Sequence, residues 1–183
     1  MRPFVLDTDA FIFLRDLSIG SASLLEVILR RALEAGRPIY LTEWVAKHEL
    51  MDLQSEIVNF LDAGLLEVKT LASTNPVYRK LRQQIDRGEA EIIAWSLTQN
   101  EKPLFVSRDS KALACAIKNG IPATDLMGLF VEMVESGMIA KEDAKRAADP
   151  WDDPVQQLGK PKNYKGFDVT FAKRRSRGPY YYP

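Results

Sequence analysis

The chain has 183 residues, 46% apolar and 27% charged, the balance of a folded domain with a real core rather than of a disordered segment. Its single cysteine, Cys115, excludes an internal disulfide and a thiolate-rich zinc site, and no apolar run approaches the roughly 20 residues of a membrane helix. Formal charge is zero, yet residues 159–183 carry a net +6 and residues 1–158 a net −6, an acidic body with a basic tail.

Phe4-Val5-Leu6 is a short apolar run that ends on Asp7, as a buried parallel strand does on leaving a sheet. Leu24, Leu25, Ile28, Leu29 and Leu33 recur at helical spacing. Ser21 or Ser23 caps that helix, and Gly36 with Pro38 ends it. Ile39 to Leu41 reads as a second strand, and Thr42 as the cap of a helix through Val45, Leu50 and Leu53. A short helix over 55–63 and a strand over 65–71 follow. Asn75-Pro76 starts a helix that runs from Val77 to Ile85 and breaks at Gly88; another begins at Glu89. Leu104 to Val106 is a strand, and helices are expected over 110–118, 125–135 and 141–148. Strands alternating with helices predict an α/β fold, a three-layer α/β/α sandwich on a central, mostly parallel sheet. After Pro150 periodicity is lost, so the chain divides into a domain over 1–149 and a basic, aromatic arm over 150–183 that is expected to be extended.

Reactive groups in such sheets gather beyond the carboxyl ends of the strands. Asp7 follows the first strand and Asp109 the last clear one; Glu49 lies about two turns into the helix after the second. Glu89 and Glu91 open a later helix. Convergence of these acids would raise their pKa values and destabilise the fold unless a cation neutralised them. Oxygen ligands without cysteine select hard ions, Mg²⁺ or Mn²⁺, and two such ions about 4 Å apart can drive phosphodiester cleavage. Each acid also has a plainer role: Asp7 and Asp109 as helix caps, Glu49 as a solvated helix residue, Glu89 and Glu91 as partners of a helix dipole.

Taken in order, Val5 to Ala10, Ile39 to Leu50, Arg87-Gly88-Glu89-Ala90-Glu91-Ile92-Ile93-Ala94 and Leu104 to Asp109 make the chain resemble the PIN-domain family of metal-dependent ribonucleases over about residues 3–148. The resemblance implies that Asp7, Glu49 and Asp109 take the first, second and last acidic positions. The third falls to Glu89, nearest the helix start, with Glu91 as the alternative, because residues two apart on a helix point about 200° apart. Thr8 and Ser107 match hydroxyl positions that orient a carboxylate or water. The resemblance further implies hydrolysis of single-stranded RNA by in-line attack of hydroxide, leaving a 5′ phosphate and a 3′ hydroxyl. Relatives include toxins restrained by an antitoxin protein and RNA-processing enzymes, and a homodimer is a recurrent form.

In the arm, Lys173, Arg174, Arg175 and Arg177 alternate with Phe171, Tyr180, Tyr181 and Tyr182, a composition suited to single-stranded RNA. The competing expectation is that the aromatics fold back onto the body, or dock on a second subunit, while the basic side chains lie over the acidic surface. His48 points away from its neighbour Glu49, Cys115 is expected in the core, and Trp44, Trp95 and Trp151 are spaced as packing residues. The start of the chain lacks the apolar stretch of a signal peptide, so a cytoplasmic location and no membrane partner are expected. Two other functions fit part of the pattern. Asp7-Thr8-Asp9 resembles the nucleophile and acid of haloacid-dehalogenase-like phosphatases, with Thr42 as a phosphate contact, although that reading leaves Glu49 and Glu89 unexplained. A non-catalytic PIN-like module that only binds RNA is the other alternative.

Overall fold

The computed structural model describes residues 2–19, 21–153, 155 and 160–178. In chain order its elements are β1 (Phe4–Leu6), α1 (Thr8–Asp16), a small hairpin of β2 (Ser18–Ile19) and β3 (Ala22–Ser23), α2 (Leu24–Glu34), β4 (Ile39–Thr42), α3 (Gln54–Asp62) and β5 (Leu66–Lys69). Then come α4 (Pro76–Leu81), α5 (Arg87–Thr98), β6 (Leu104–Val106), α6 (Ser110–Lys118), β7 (Ala123–Thr124), α7 (Leu126–Glu135), α8 (Lys141–Ala148) and α9 (Phe167–Arg177).

Five strands pair in parallel in the order β5-β4-β1-β6-β7, and helices flank them to give a three-layer α/β/α sandwich. The middle strands are apolar at every position because both of their faces are covered: Phe4, Val5 and Leu6 in β1 and Leu104, Phe105 and Val106 in β6 are all buried. Phe4 pairs with Leu104 and Leu6 with Val106, which sets Asp7 beside Ser107 at the same sheet edge. The chain leaves β1 toward β4 and β5, then crosses to β6 and β7 on the other side. Such a reversal opens a crevice above the carboxyl end of the central strand.

Local sequence explains the helix starts. The Ser23 hydroxyl accepts the Glu26 amide at 3.1 Å, and the Asn75 side chain accepts the amides of Val77 and Tyr78 at 2.9 and 3.1 Å. Elsewhere the fold departs from expectation. The helix after β4 is not continuous but opens with a π-helical turn, Val45–Glu49, followed by a 3₁₀ turn, Met51–Leu53. Thr42 is the buried last residue of β4 rather than a cap. Gly88 does not break a helix: α4 stops at Leu81, and Gly88 lies in the first turn of α5. Cys115 is only partly buried and lines a surface groove with Val77, Leu81 and Leu97.

The expected extended arm is the largest departure. Trp151 is fully buried, stacked on Phe13 with ring centroids 5.4 Å apart and flanked by Phe130 and Tyr164. Residues 167–177 form α9, which buries Phe167 and Phe171 and packs along α7 and α8. Exposed ion pairs accompany that packing: Asp168 bridges Lys141 and Lys145, and Arg175 pairs with Glu135 at 3.0 Å. Those two lysines hold the Asp168 carboxyl down at about 2. Tyr180, Tyr181 and Tyr182 lie outside the described residues. Among the described residues no helix is long and apolar enough to cross a membrane.

Candidate active site

Asp7 sits at the mouth of the crevice because the chain turns there from β1 into α1. Its backbone is extended and its Oδ1 accepts the Ala10 amide at 2.8 Å, so it caps α1. Ser107, directly across from it at the end of β6, hydrogen-bonds its side chain. The same Ser107 Oγ accepts the Asp109 amide at 3.0 Å. Asp109 in turn caps α6, its Oδ1 accepting the amides of Lys111 and Ala112 at 2.6 and 2.9 Å. One hydroxyl thus couples two candidate acids, each fixed by the helix it starts.

Glu89 reaches the same place from the first turn of α5. Burial and the neighbouring charges of Asp109, Asp7 and Asp86 push its carboxyl up to about 8. Asp7 is pushed up to about 7, chiefly by burial, against the opposing pull of its hydrogen bonds to Ser107 and Ala10. Two neighbouring carboxyls held near neutrality mark a site where negative charge is crowded and poorly solvated.

Glu91, one residue beyond the intervening Ala90, turns elsewhere. It is 7% exposed, its Oε2 accepts the Trp44 amide at 2.7 Å, and the Thr42 hydroxyl lies beside it. Glu91 therefore caps the start of the helical turn after β4, the role expected of Thr42. Burial raises its pKa. Glu49, at the end of the π-helical turn, extends an exposed side chain back toward the crevice. The Thr8 hydroxyl donates to its Oε2. Its carboxylate also presses on Gly88 so closely that a Cβ there would stand 2.5 Å from Oε1. The glycine in Arg-Gly-Glu is thus the gap that admits Glu49.

The structure gathers Asp7, Glu89 and Asp109 with Ser107, and holds Glu49 by Thr8 and Gly88, while Glu91 braces the scaffold. Asp86, just before α5, is an acid that sequence reasoning missed. It precedes a helix start, so the N-cap preference for Asp was the available signal, although its side chain makes no capping bond. Asp9 pairs with Arg108 at 3.6 Å, and its charge adds to the rise of the Asp7 pKa. Thr42 is fully buried, which leaves the phosphatase alternative without its phosphate contact. Trp44 is half-buried, with the His48 ring tilted 33° to it at 4.1 Å between centroids and the Arg87 guanidinium over its ring at 4.8 Å.

The converging donors are carboxylate oxygens, the kind a hard divalent cation takes. Among the described residues no three acidic, histidine or cysteine side chains form a ready-made cage for one. Of the tail cations expected to meet RNA, Arg174 turns inward to pair with Asp125 and Arg175 pairs with Glu135, whereas Lys173 and Arg177 are exposed on α9. A family model described as a PIN domain matches residues 4–150. No curated protein and no solved structure matches the chain.

Proposed function

Because the chain belongs to the PIN-domain family, a nuclease-type fold, we propose that it is a metal-dependent endoribonuclease that hydrolyses single-stranded RNA at the crevice above β1. The observation that carries this reading is the convergence of Asp7, Glu89 and Asp109 on one sheet edge, with two of those carboxyls raised to about 7 and about 8. Charge crowding of that kind is stabilised by a bound cation, and all-oxygen donors suit Mg²⁺ or Mn²⁺. In this reading Asp7, Glu89 and Asp109 hold the ion, with Glu49 completing the negative rim. When bound, such an ion supplies Lewis-acid activation of water and of the leaving oxygen at neutral pH.

The chain's own groups do the positioning. Ser107 fixes the rotamer of Asp7 and, through the Asp109 amide, the start of α6. Thr8 orients Glu49, and the bare Cα of Gly88 lets that carboxylate approach. Glu91, by holding the Trp44 amide, keeps the π-helical turn and α5 in fixed relation. Restraint by an antitoxin, a role in RNA processing, a homodimer and a cytoplasmic location belong to the same proposal.

The test is cleavage of a labelled single-stranded RNA with Mn²⁺, with Mg²⁺ and with chelator, for the parent chain and for Asp109→Asn. Metal-dependent cutting that Asp109→Asn abolishes supports the nuclease; equal cutting by both chains overturns the site. A second reading, a non-catalytic RNA-binding module, draws on the lack of a ready-made cation cage among the described residues. Binding without metal-dependent cutting would favour it.

A further inference from the structure

The matched family ends at residue 150, but the chain comes back to the crevice after that point. Tyr164 packs edge-on to Trp151, 5.6 Å between ring centroids, and Phe167 and Phe171 seat α9 on the body. Anchored by Tyr164 and α9, which follow them, residues 160–162 lie across the start of α6. The Lys162 ammonium donates to the Ser110 hydroxyl at 2.9 Å, and Ser110 is the residue next to Asp109. Arg108, Ser110, Asp125, Lys160 and Lys162 line a small cleft there of about 40 Å³. That is room for a few water-sized groups, the scale of the free oxygens of one phosphate.

The charge in the cleft is positive on balance. Asp125 is its acid, and Arg174 of α9 neutralises it in a pair whose side chains are 16% and 11% exposed. Arg108 is paired with Asp9 at 3.6 Å, but both are exposed, and such a pair is worth little and is easily exchanged for another anion. Lys160 is steered by the Tyr164 ring, 5.5 Å from its ammonium. Three cations therefore border a carboxylate cluster on a body that is otherwise acidic.

We propose that Arg108, Lys160 and Lys162 form a phosphate-binding subsite that holds the backbone of single-stranded RNA beside the carboxylate cluster. The proposal rests on the ribonuclease reading for the identity of the strand. It also accounts for the charge asymmetry, because a polyanion approaching an acidic edge needs local cations within about one Debye length, roughly 8–10 Å, to offset the repulsion. The segment after residue 150 supplies two of the three cations, and Arg108 comes from the region matched by the family, so the subsite forms where the two meet.

The test uses the full chain carrying Asp7→Asn to prevent cutting, a short labelled oligouridylate, and fluorescence anisotropy across a KCl series. Adding Lys160→Ser with Lys162→Ser should weaken binding about tenfold at physiological salt. It should also flatten the slope of log Kd against log salt by about 1.4, two single-strand phosphate contacts. Lys160→Arg with Lys162→Arg should bind like the reference, and circular dichroism should find every variant folded. Unchanged affinity and slope in the serine variant overturn the subsite, as does an absence of RNA binding by the reference. Loss seen only with Lys173→Ser and Arg177→Ser overturns it in favour of the exposed face of α9. The two readings fail separately. If the chain that retains Asp7 cuts RNA with Mn²⁺ and the serine pair leaves kcat/KM unaltered, the subsite falls and the nuclease stands. If no chain cuts but the serine pair abolishes binding, the subsite stands and the nuclease falls.

Discussion

At Asp7 one carboxylate serves both as the cap of α1 and as a buried charge held at about 7. Asparagine caps helices as well as aspartate does. Asp7→Asn should therefore keep the fold while lowering cleavage about 10²-fold or more, the usual cost of removing one preorganised electrostatic group. The pH dependence of stability follows from the same shift. Between the ordinary 3.8 and about 7, the native chain holds a proton on Asp7 that the unfolded chain has lost; for Glu89 the interval runs from 4.5 to about 8. Unfolding free energy in chelator should thus fall as pH rises through that window. Urea titrations at about pH 5 and about pH 8 will measure it: the parent should be less stable at the higher pH, and Asp7→Asn should shrink the difference. A parent that is more stable at the higher pH would contradict the crowded-carboxylate account. Gly88 gives a complementary test. Alanine there suits a helix by up to about 1 kcal/mol, but its Cβ would displace the flexible Glu49 carboxylate and break its bond to Thr8. Gly88→Ala should match or exceed the parent in Tm while cutting RNA about tenfold more slowly; equal activity would remove Glu49 from the mechanism.

Among the elements, α9 is the one whose importance is easiest to measure. Phe171 is 3% exposed beneath it, and truncating a buried phenylalanine usually costs about 3–5 kcal/mol. Phe171→Ala should lower the urea midpoint accordingly if α9 is integral to the domain; a change of only a few tenths of a kcal/mol would show it to be a loosely attached extension. The helix was hidden in the sequence by its many lysines and arginines. Its signal was present, since Phe167 and Phe171 stand four apart between Gly166 and Gly178, but two aromatic residues make a narrow stripe. The main strands were readable from their apolar runs, and α2, α6 and α7 from apolar spacing reinforced by capping side chains, whereas α8 has no capping bond and buries only alanines. β7 and the β2–β3 hairpin were not, because two-residue strands carry no periodicity. The candidate site shows the same division. Asp7 and Asp109 follow their strands and can be read directly. Separating Glu89 from Glu91 depends on the Trp44 amide, more than forty residues away in sequence, and the π-helical turn that carries Glu49 has no sequence marker of its own.

For the whole molecule, strand order governs how the site comes into being. β1 is central, yet its partners are β4 and β6, and Phe4 pairs with a residue a hundred positions later. Folds dominated by such distant pairings close loops before contacts repay them, and refold in about milliseconds to seconds rather than microseconds. Recovery of cleavage after dilution from urea should have no phase faster than recovery of intrinsic tryptophan fluorescence, since Asp7 and Asp109 meet only when β1 and β6 pair. An earlier return of activity would mean that a fragment of the sheet suffices. The same strand order bears on the protein's own synthesis. Asp7 is made about a hundred residues before Asp109, and it remains one isolated acid until β6 has been made and has found its place. In the proposed reading, a growing chain that stops short of Asp109 therefore lacks the paired carboxylates and should leave RNA uncut.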